Sequence, residues 1–259
     1  MADASAAMLG NCCFNKGDVK VTLGTGSFFD INTGIDCHAS VLGLYPLVQW
    51  KINNQSSAMY CVEGSCNDTG SIIVWGQSIG LFEHPNQSSE MAMSVNDTDG
   101  VFFIPAFSGL SAPINNPNAA TGFIGISPQT SKQHLVRALL ESIVFRVAQL
   151  YKASMKETAY KIKNIRVDGG VSVNNFICQS IADLCGITVE RSDNAEATAL
   201  GIAYLCALNM NMIENTNELS KLYKTSDIFT SRPMYHEKLL KSMQKWESAV
   251  ERFKNWHQN

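Results

Sequence analysis

Short β-rich runs alternating with longer helical-period segments predict a mixed α/β fold for these 259 residues. Compact β-rich runs fill the opening third, and amphipathic helical patterns dominate later. From residue 164 onward strand-like and helix-like segments take turns. No internal repeat, linker or low-complexity tract divides the chain, so residues 1–259 read as one domain. A chain of this length buries roughly three quarters of its unfolded surface, enough for a substantial core.

Residues 19–33 read as two strands joined by the turn Gly24-Thr25-Gly26. Residues 44–52 and 57–62 add two more across an Asn-rich turn, and the four suit an antiparallel meander. Helical patterns follow over 70–81 and 88–94, then a buried strand from Val101 to Phe107 that ends at Ser108-Gly109. The stretch 111–121, rich in Pro, Asn and Ala, is irregular. Ser131 opens a long amphipathic helix with Leu135, Leu139, Ile143 and Val147 on one face. Asn164 to Val167 is a strand entering Asp168-Gly169-Gly170. A helix over 174–185, a strand over 187–190 and an Ala-rich helix over 196–208 come next. From Tyr235 onward a closing helix presents Leu239, Met243, Trp246 and Val250 together.

Composition narrows the function. A formal net charge of -3 gives no basic footprint for nucleic acid. No apolar run of about 18 residues is present to span a bilayer. Met1 to Gly10 is small and apolar but has no positive charge before Lys16, a poor signal peptide. Eight cysteines without C-x-x-C spacing, several inside apolar helical stretches, suit reduced thiols in a cytoplasmic protein. On that reading the N-x-[ST] sequons at Asn54, Asn67, Asn86 and Asn96 are chance matches.

Two glycine turns stand out chemically. In Leu23-Gly24-Thr25-Gly26-Ser27 the glycines let backbone approach a ligand closely, and the Thr25 hydroxyl can donate to a phosphate oxygen. A plain hairpin turn would use the same residues. In Val167-Asp168-Gly169-Gly170-Val171 a strand runs into a Gly-Gly turn ahead of a helix, a setting for phosphate or a purine face. An ordinary strand–helix connection with Asn174 as N-cap reads the same way. Neither turn is a Walker loop or a dinucleotide fingerprint. The five histidines are scattered, and no His/Cys/Asp/Glu group has metal-ligand spacing.

Taken together, six segments in order resemble the second domain of glycerol kinases, members of the FGGY carbohydrate kinases. They are Ala2-Asp3-Ala4-Ser5-Ala6-Ala7-Met8-Leu9-Gly10, Gly17 to Phe28, and Gly100 to Leu110 with Ala112-Pro113. The others are Gly125-Ile126 with His134 to Glu141, Arg166 to Val171 with Asn174-Asn175-Phe176, and Ala197 to Leu205. The closing Arg252-Phe253-Lys254-Asn255-Trp256 is especially like an animal branch of that family. The resemblance implies an actin-like ATPase (ribonuclease H-like) domain, a mixed sheet with helices on both faces. It also implies that an N-terminal kinase domain precedes this one in the whole enzyme, with Met1 lying at the cleft between them.

By the same resemblance Asp3 is the general base and a substrate contact, and Phe28 packs against the polyol carbons. Gly24, Thr25 and Gly26 face the β- and γ-phosphates. Gly70 lies near the nucleotide, and Gly169, Gly170 and Asn174 are on the adenosine side. ATP or ADP and Mg²⁺ are the implied cofactors, with no direct metal ligand from this chain and Mg²⁺ reaching Asp3 through water. The implied partners are a small polyol, ATP and the absent first domain, a homo-oligomer being compatible. Departures matter here. Ala4 stands where the family has a glutamine holding a substrate hydroxyl, Val74 replaces a polar residue, and Ile114-Asn115-Asn116-Pro117 replaces a Tyr-Trp-Asp-Pro loop. Phosphorylation of glycerol or a related polyol leads the readings. A pentulose kinase, and a catalytically inert nucleotide-binding module, are the alternatives.

Overall fold

The computed structural model describes residues 1–53, 55–194 and 196–257. The sequon at Asn54 lies outside them. A seven-stranded mixed sheet organises the molecule, with strands β1 (Val19–Leu23), β2 (Ser27–Gly34), β3 (Tyr45–Trp50), β4 (Met59–Cys66), β7 (Asn164–Asp168), β8 (Thr188–Ser192) and β9 (Thr225–Phe229). Their order across the sheet is β3-β4-β2-β1-β7-β8-β9. β7 is parallel to both β1 and β8, and the remaining pairs are antiparallel. The first four strands are antiparallel as expected but do not form a meander, because β4 inserts beside β2 and leaves β3 at the edge. Strand pairing is settled by partners distant in sequence, which local period does not encode.

Alternation along the central strands separates two layers. Val19, Val21 and Leu23 of β1 and Phe29 and Ile31 of β2 enter the large core. That face is covered by α4 (Lys132–Thr158) and α5 (Asn175–Cys185), with α8 (Pro233–Val250) packed against α5. In α4, Leu139, Ile143 and Val147 are buried as their spacing predicts, and Leu135 packs against the core edge. Its start is a capping box: Ser131 Oγ accepts from the His134 N–H, and His134 Nδ1 accepts from the Ser131 N–H. Leu239, Met243, Trp246 and Val250 of α8 are buried, and Trp246 Nε1 donates to the Phe103 carbonyl at 2.8 Å.

The opposite face carries α1 (Asp3–Gly10) and α6 (Ala197–Asn209), packed on each other above a smaller cluster around Met8, Leu9 and Trp50. Helices therefore flank the sheet on both sides. α2 (Gly70–Ser78), α3 (Gln87–Met93) and the small hairpin β5 (Phe102–Ile104) with β6 (Gly122–Ile124) complete the side of the large core. The strand expected over 101–107 is thus only three residues long, and β6, β9 and α7 (Thr216–Ser220) were not expected. All three are short and lack an apolar period, so nothing local announces them. All eight cysteines are free.

Under α1 the sheet is polar. Lys20 and Asp30 face each other across the β1–β2 pair, with Nζ 2.8 Å from Oδ2 and both side chains fully buried. Glu63 lies next to Asp30 in β4. Burial, then the adjacent Asp30 charge, raises Glu63 from 4.5 to about 7. A raised carboxyl favours the folded state fully below its ordinary range, and that contribution is lost as pH climbs through about 7. The melting temperature should therefore fall between pH 5 and 8 more steeply in the wild type than in Glu63→Gln. Parallel melting curves for the two would contradict this assignment.

Candidate nucleotide site

β1 and β7 are parallel neighbours with Thr22 opposite Asp168, so the turns that follow them emerge side by side. From here the chain leaves β1 toward β2 and leaves β7 toward β8, on opposite sides. Such a switch point opens a crevice at the carboxyl ends of the strands. Close packing of the two turns depends on missing side chains. At Gly169 (φ +87°) a Cβ would lie 2.6 Å from the Leu23 carbonyl oxygen, and at Gly26 one would lie 2.6 Å from that of Cys66.

The first turn is locked onto the start of α2. The Thr25 carbonyl accepts from the N–H groups of Thr69 (3.0 Å) and Gly70 (2.8 Å). A Cβ on Gly70 would come within 2.7 Å of the Gly24 oxygen, so only glycine permits this seat. Among the described residues the Thr25 hydroxyl has no hydrogen-bond partner, which leaves it available to a ligand.

The second turn leads through a 3-10 segment, Gly170–Val173, into α5. Asn174 caps α5, its Oδ1 accepting from the Ile177 N–H at 3.2 Å. Its Nδ2 donates to Ser88 Oγ at 3.0 Å, tying α5 to α3. One amide hydrogen of Asn174 is left for anything beside it.

Between these elements lies a cavity of about 960 Å³. Gly24, Thr25, Gly70, Gly170 and Asn174, five of the expected nucleotide-side residues, line it. Gly26 and Gly169 do not line it and serve instead to bring backbone segments together. Val74 of α2, singled out in the sequence for replacing a polar residue, also lines it, together with residues the sequence did not single out: Ile73 from α2, Ser89, Glu90 and Met93 from α3, and Val173. Their signal was weak, since α3 carries no motif and enters the site only by packing on α4 and α5. The cavity suits a ligand with a flat apolar part and a polar tail. Among the described residues no Lys or Arg lines it, so an anionic tail would rest on backbone N–H groups and Thr25.

Asp3 and Phe28 are elsewhere. Asp3 is exposed in the first turn of α1, and Phe28 is 39% exposed on β2; neither lines the cavity. Phe28 pairs with Thr22, two residues along from the Lys20–Asp30 pair, on the strand face over which α1 lies. Among the described residues no group of three or more His, Cys, Asp or Glu side chains could hold a metal ion. No described helix is long and apolar enough to cross a membrane.

Gly170 separates ligand effects from folding effects. A Cβ there would meet nothing within 4 Å, in a residue that lines the cavity. Gly170→Ala should therefore leave the melting temperature within about 2 °C, since a substitution without clash costs little. The same methyl should weaken ADP binding at least tenfold in a calorimetric titration. Unchanged affinity would show that the ligand does not approach this turn.

Residues 19–210 match the family model for the FGGY family of carbohydrate kinases, C-terminal domain. Glycerol kinase 5 of Danio rerio is 46% identical over 99% of this chain and 49% of its own length. The Homo sapiens glycerol kinase 5 is 42% identical over 99% of this chain and 48% of its own. The crystal structure of Plasmodium falciparum glycerol kinase with ADP superposes with a TM-score of 0.91 at 32% identity, covering 97% of this chain and 50% of that one. The chain thus spans about half the length of the curated relatives it matches. The mixed sheet with helices on both faces is the actin-like, ribonuclease H-like ATPase fold of these kinases. This chain belongs to the FGGY family of carbohydrate kinases and carries that family's C-terminal domain.

Proposed function

We propose that this chain is the nucleotide-binding half of an ATP-dependent kinase that phosphorylates glycerol or a related small polyol, working in the cytoplasm. The observation that carries the reading is the cavity between the two glycine turns, in a fold shared with a glycerol kinase described with ADP. The base and ribose would lie along Gly170, Val173 and Asn174 against the apolar residues of α2 and α3. The phosphates would point toward Gly24 and Thr25, whose hydroxyl donates to a phosphate oxygen.

Phosphoryl transfer demands mainly positioning and charge stabilisation. Asp3 is assigned as general base, accepting the proton of the substrate hydroxyl as its oxygen attacks the γ-phosphorus. The bond from that phosphorus to the β–γ bridging oxygen breaks and ADP leaves. Phe28 offers an exposed ring for the carbon skeleton of the polyol. Ala4 has no hydrogen-bonding side chain, so hydroxyl recognition falls more heavily on the first domain, and a substrate other than glycerol is the second reading. Among the described residues no cluster of three or more His, Cys, Asp or Glu side chains offers Mg²⁺ a site, and Mg²⁺ would reach Asp3 through water. Titrating the 259-residue chain with ADP tests the nucleotide assignment. Weak saturable binding without glycerol phosphorylation is expected, since these residues span about half the length of the kinases they match. No binding at millimolar ADP would contradict it.

A further inference from the structure

Lys20 is fully buried, the second residue of β1 and beneath α1. Its Nζ lies 2.8 Å from Asp30 Oδ2 and 3.5 Å from the Ala4 carbonyl oxygen in the first turn of α1. A lysine in such a place is an unusual choice on stability grounds. Desolvating the charge costs free energy, and a cation beside the first turn of a helix opposes the helix dipole. Asp30 is its counter-ion, and the nearby Asp168 charge adds to the field that keeps it protonated despite burial.

The rest of α1 is held from its far end. Asn11 Nδ2 donates to Asp168 Oδ2 at 2.6 Å, and an Arg166 guanidinium nitrogen donates to the Asn11 and Cys12 carbonyls at 2.7 Å each. At the first turn the tethers to the sheet are Lys20 and the Ser5 hydroxyl, which donates to the Val48 carbonyl at 3.3 Å. Asp3 immediately precedes the carbonyl that Lys20 holds.

We propose that Lys20 is a positioning residue: through the Ala4 carbonyl it orders the first turn of α1 and so fixes the direction of the Asp3 carboxylate. This rests on the assignment of Asp3 as general base. Lys20 is fully buried and does not line the nucleotide cavity, so its loss is expected to act on kcat and not on ADP affinity. A group displaced by about 1 Å can cost about 100-fold in rate.

Lys20→Met alone leaves Asp30 buried without its counter-ion and is expected to lower the melting temperature. The informative variant is Lys20→Met combined with Asp30→Leu, because replacing both members of a buried pair by apolar groups is often neutral. In the double variant the 259-residue chain should melt within a few degrees of wild type. Its Ala6 amide, which bonds to the Ala2 carbonyl at 3.0 Å, should nevertheless exchange hydrogen at least tenfold faster. In the longest natural form kcat should fall about 10- to 100-fold with ADP affinity unchanged. Wild-type exchange or wild-type kcat in the double variant would overturn the proposal, reducing Lys20 to a structural ion. An Asp3→Asn control keeps the two claims apart: full activity there removes the general-base reading itself.

Discussion

Asp3→Asn should lower polyol-dependent ADP production by the longest natural form roughly 10²- to 10⁴-fold, the usual range for a positioned general base. Asparagine keeps the shape and loses the ability to take the proton of the attacking hydroxyl. Asp3 is exposed and does not line the nucleotide cavity, so ADP affinity should stay within about twofold. The loss should therefore fall on kcat, with little change in the KM for ATP. Activity within a few-fold of wild type would place the base at another residue and leave the cavity assignment standing.

Gly201→Ala should be the most destabilising single-methyl change considered, and Gly10→Ala should follow it. α1 and α6 touch backbone to backbone. A Cβ on Gly201 would lie 1.8 Å from the Ala6 carbonyl oxygen, and one on Gly10 would lie 1.9 Å from that of Ala197. No rotamer change relieves either clash, since both partners are main chain, and the helices would have to separate over the polar face of the sheet. Forced overpacking of this kind costs up to about 3 kcal/mol or more. For a chain of this size that lowers the melting temperature by roughly 6–12 °C. Because α1 carries Asp3, a surviving Gly201→Ala protein should also lose activity beyond its loss of stability. A melting temperature unchanged by the substitution would contradict the helix contact.

The two glycine turns were legible because their residue types carry the geometry. Gly169 sits at φ +87° against the Leu23 carbonyl, and Gly70 fits where no side chain could. The faces of α4 and α8 were legible for a similar reason, since the period of Leu139, Ile143 and Val147 is itself the burial pattern. Less was visible where long-range pairing decides. Nothing in 59–66 indicates that this strand slots between β2 and β3, and β9 has too few apolar residues to stand out. The site shows the same division. Asn174 was expected as a ligand contact, and much of its side chain is committed to capping α5 and holding Ser88. The wall from α3 depends on that docking and could not be read in advance. Lys20 and Asp30 passed unnoticed because each looks like an ordinary polar residue of a half-exposed strand, until the register places them opposite each other under α1.

The most direct test supplies the longest natural form with ATP, Mg²⁺ and a panel of small polyols and pentuloses, and follows ADP release. ADP production that rises with glycerol or another small polyol, and stays at background without one, is the predicted result. If no polyol or sugar raises ADP production while ADP still binds, the kinase reading is wrong, and the chain is part of a nucleotide-binding module.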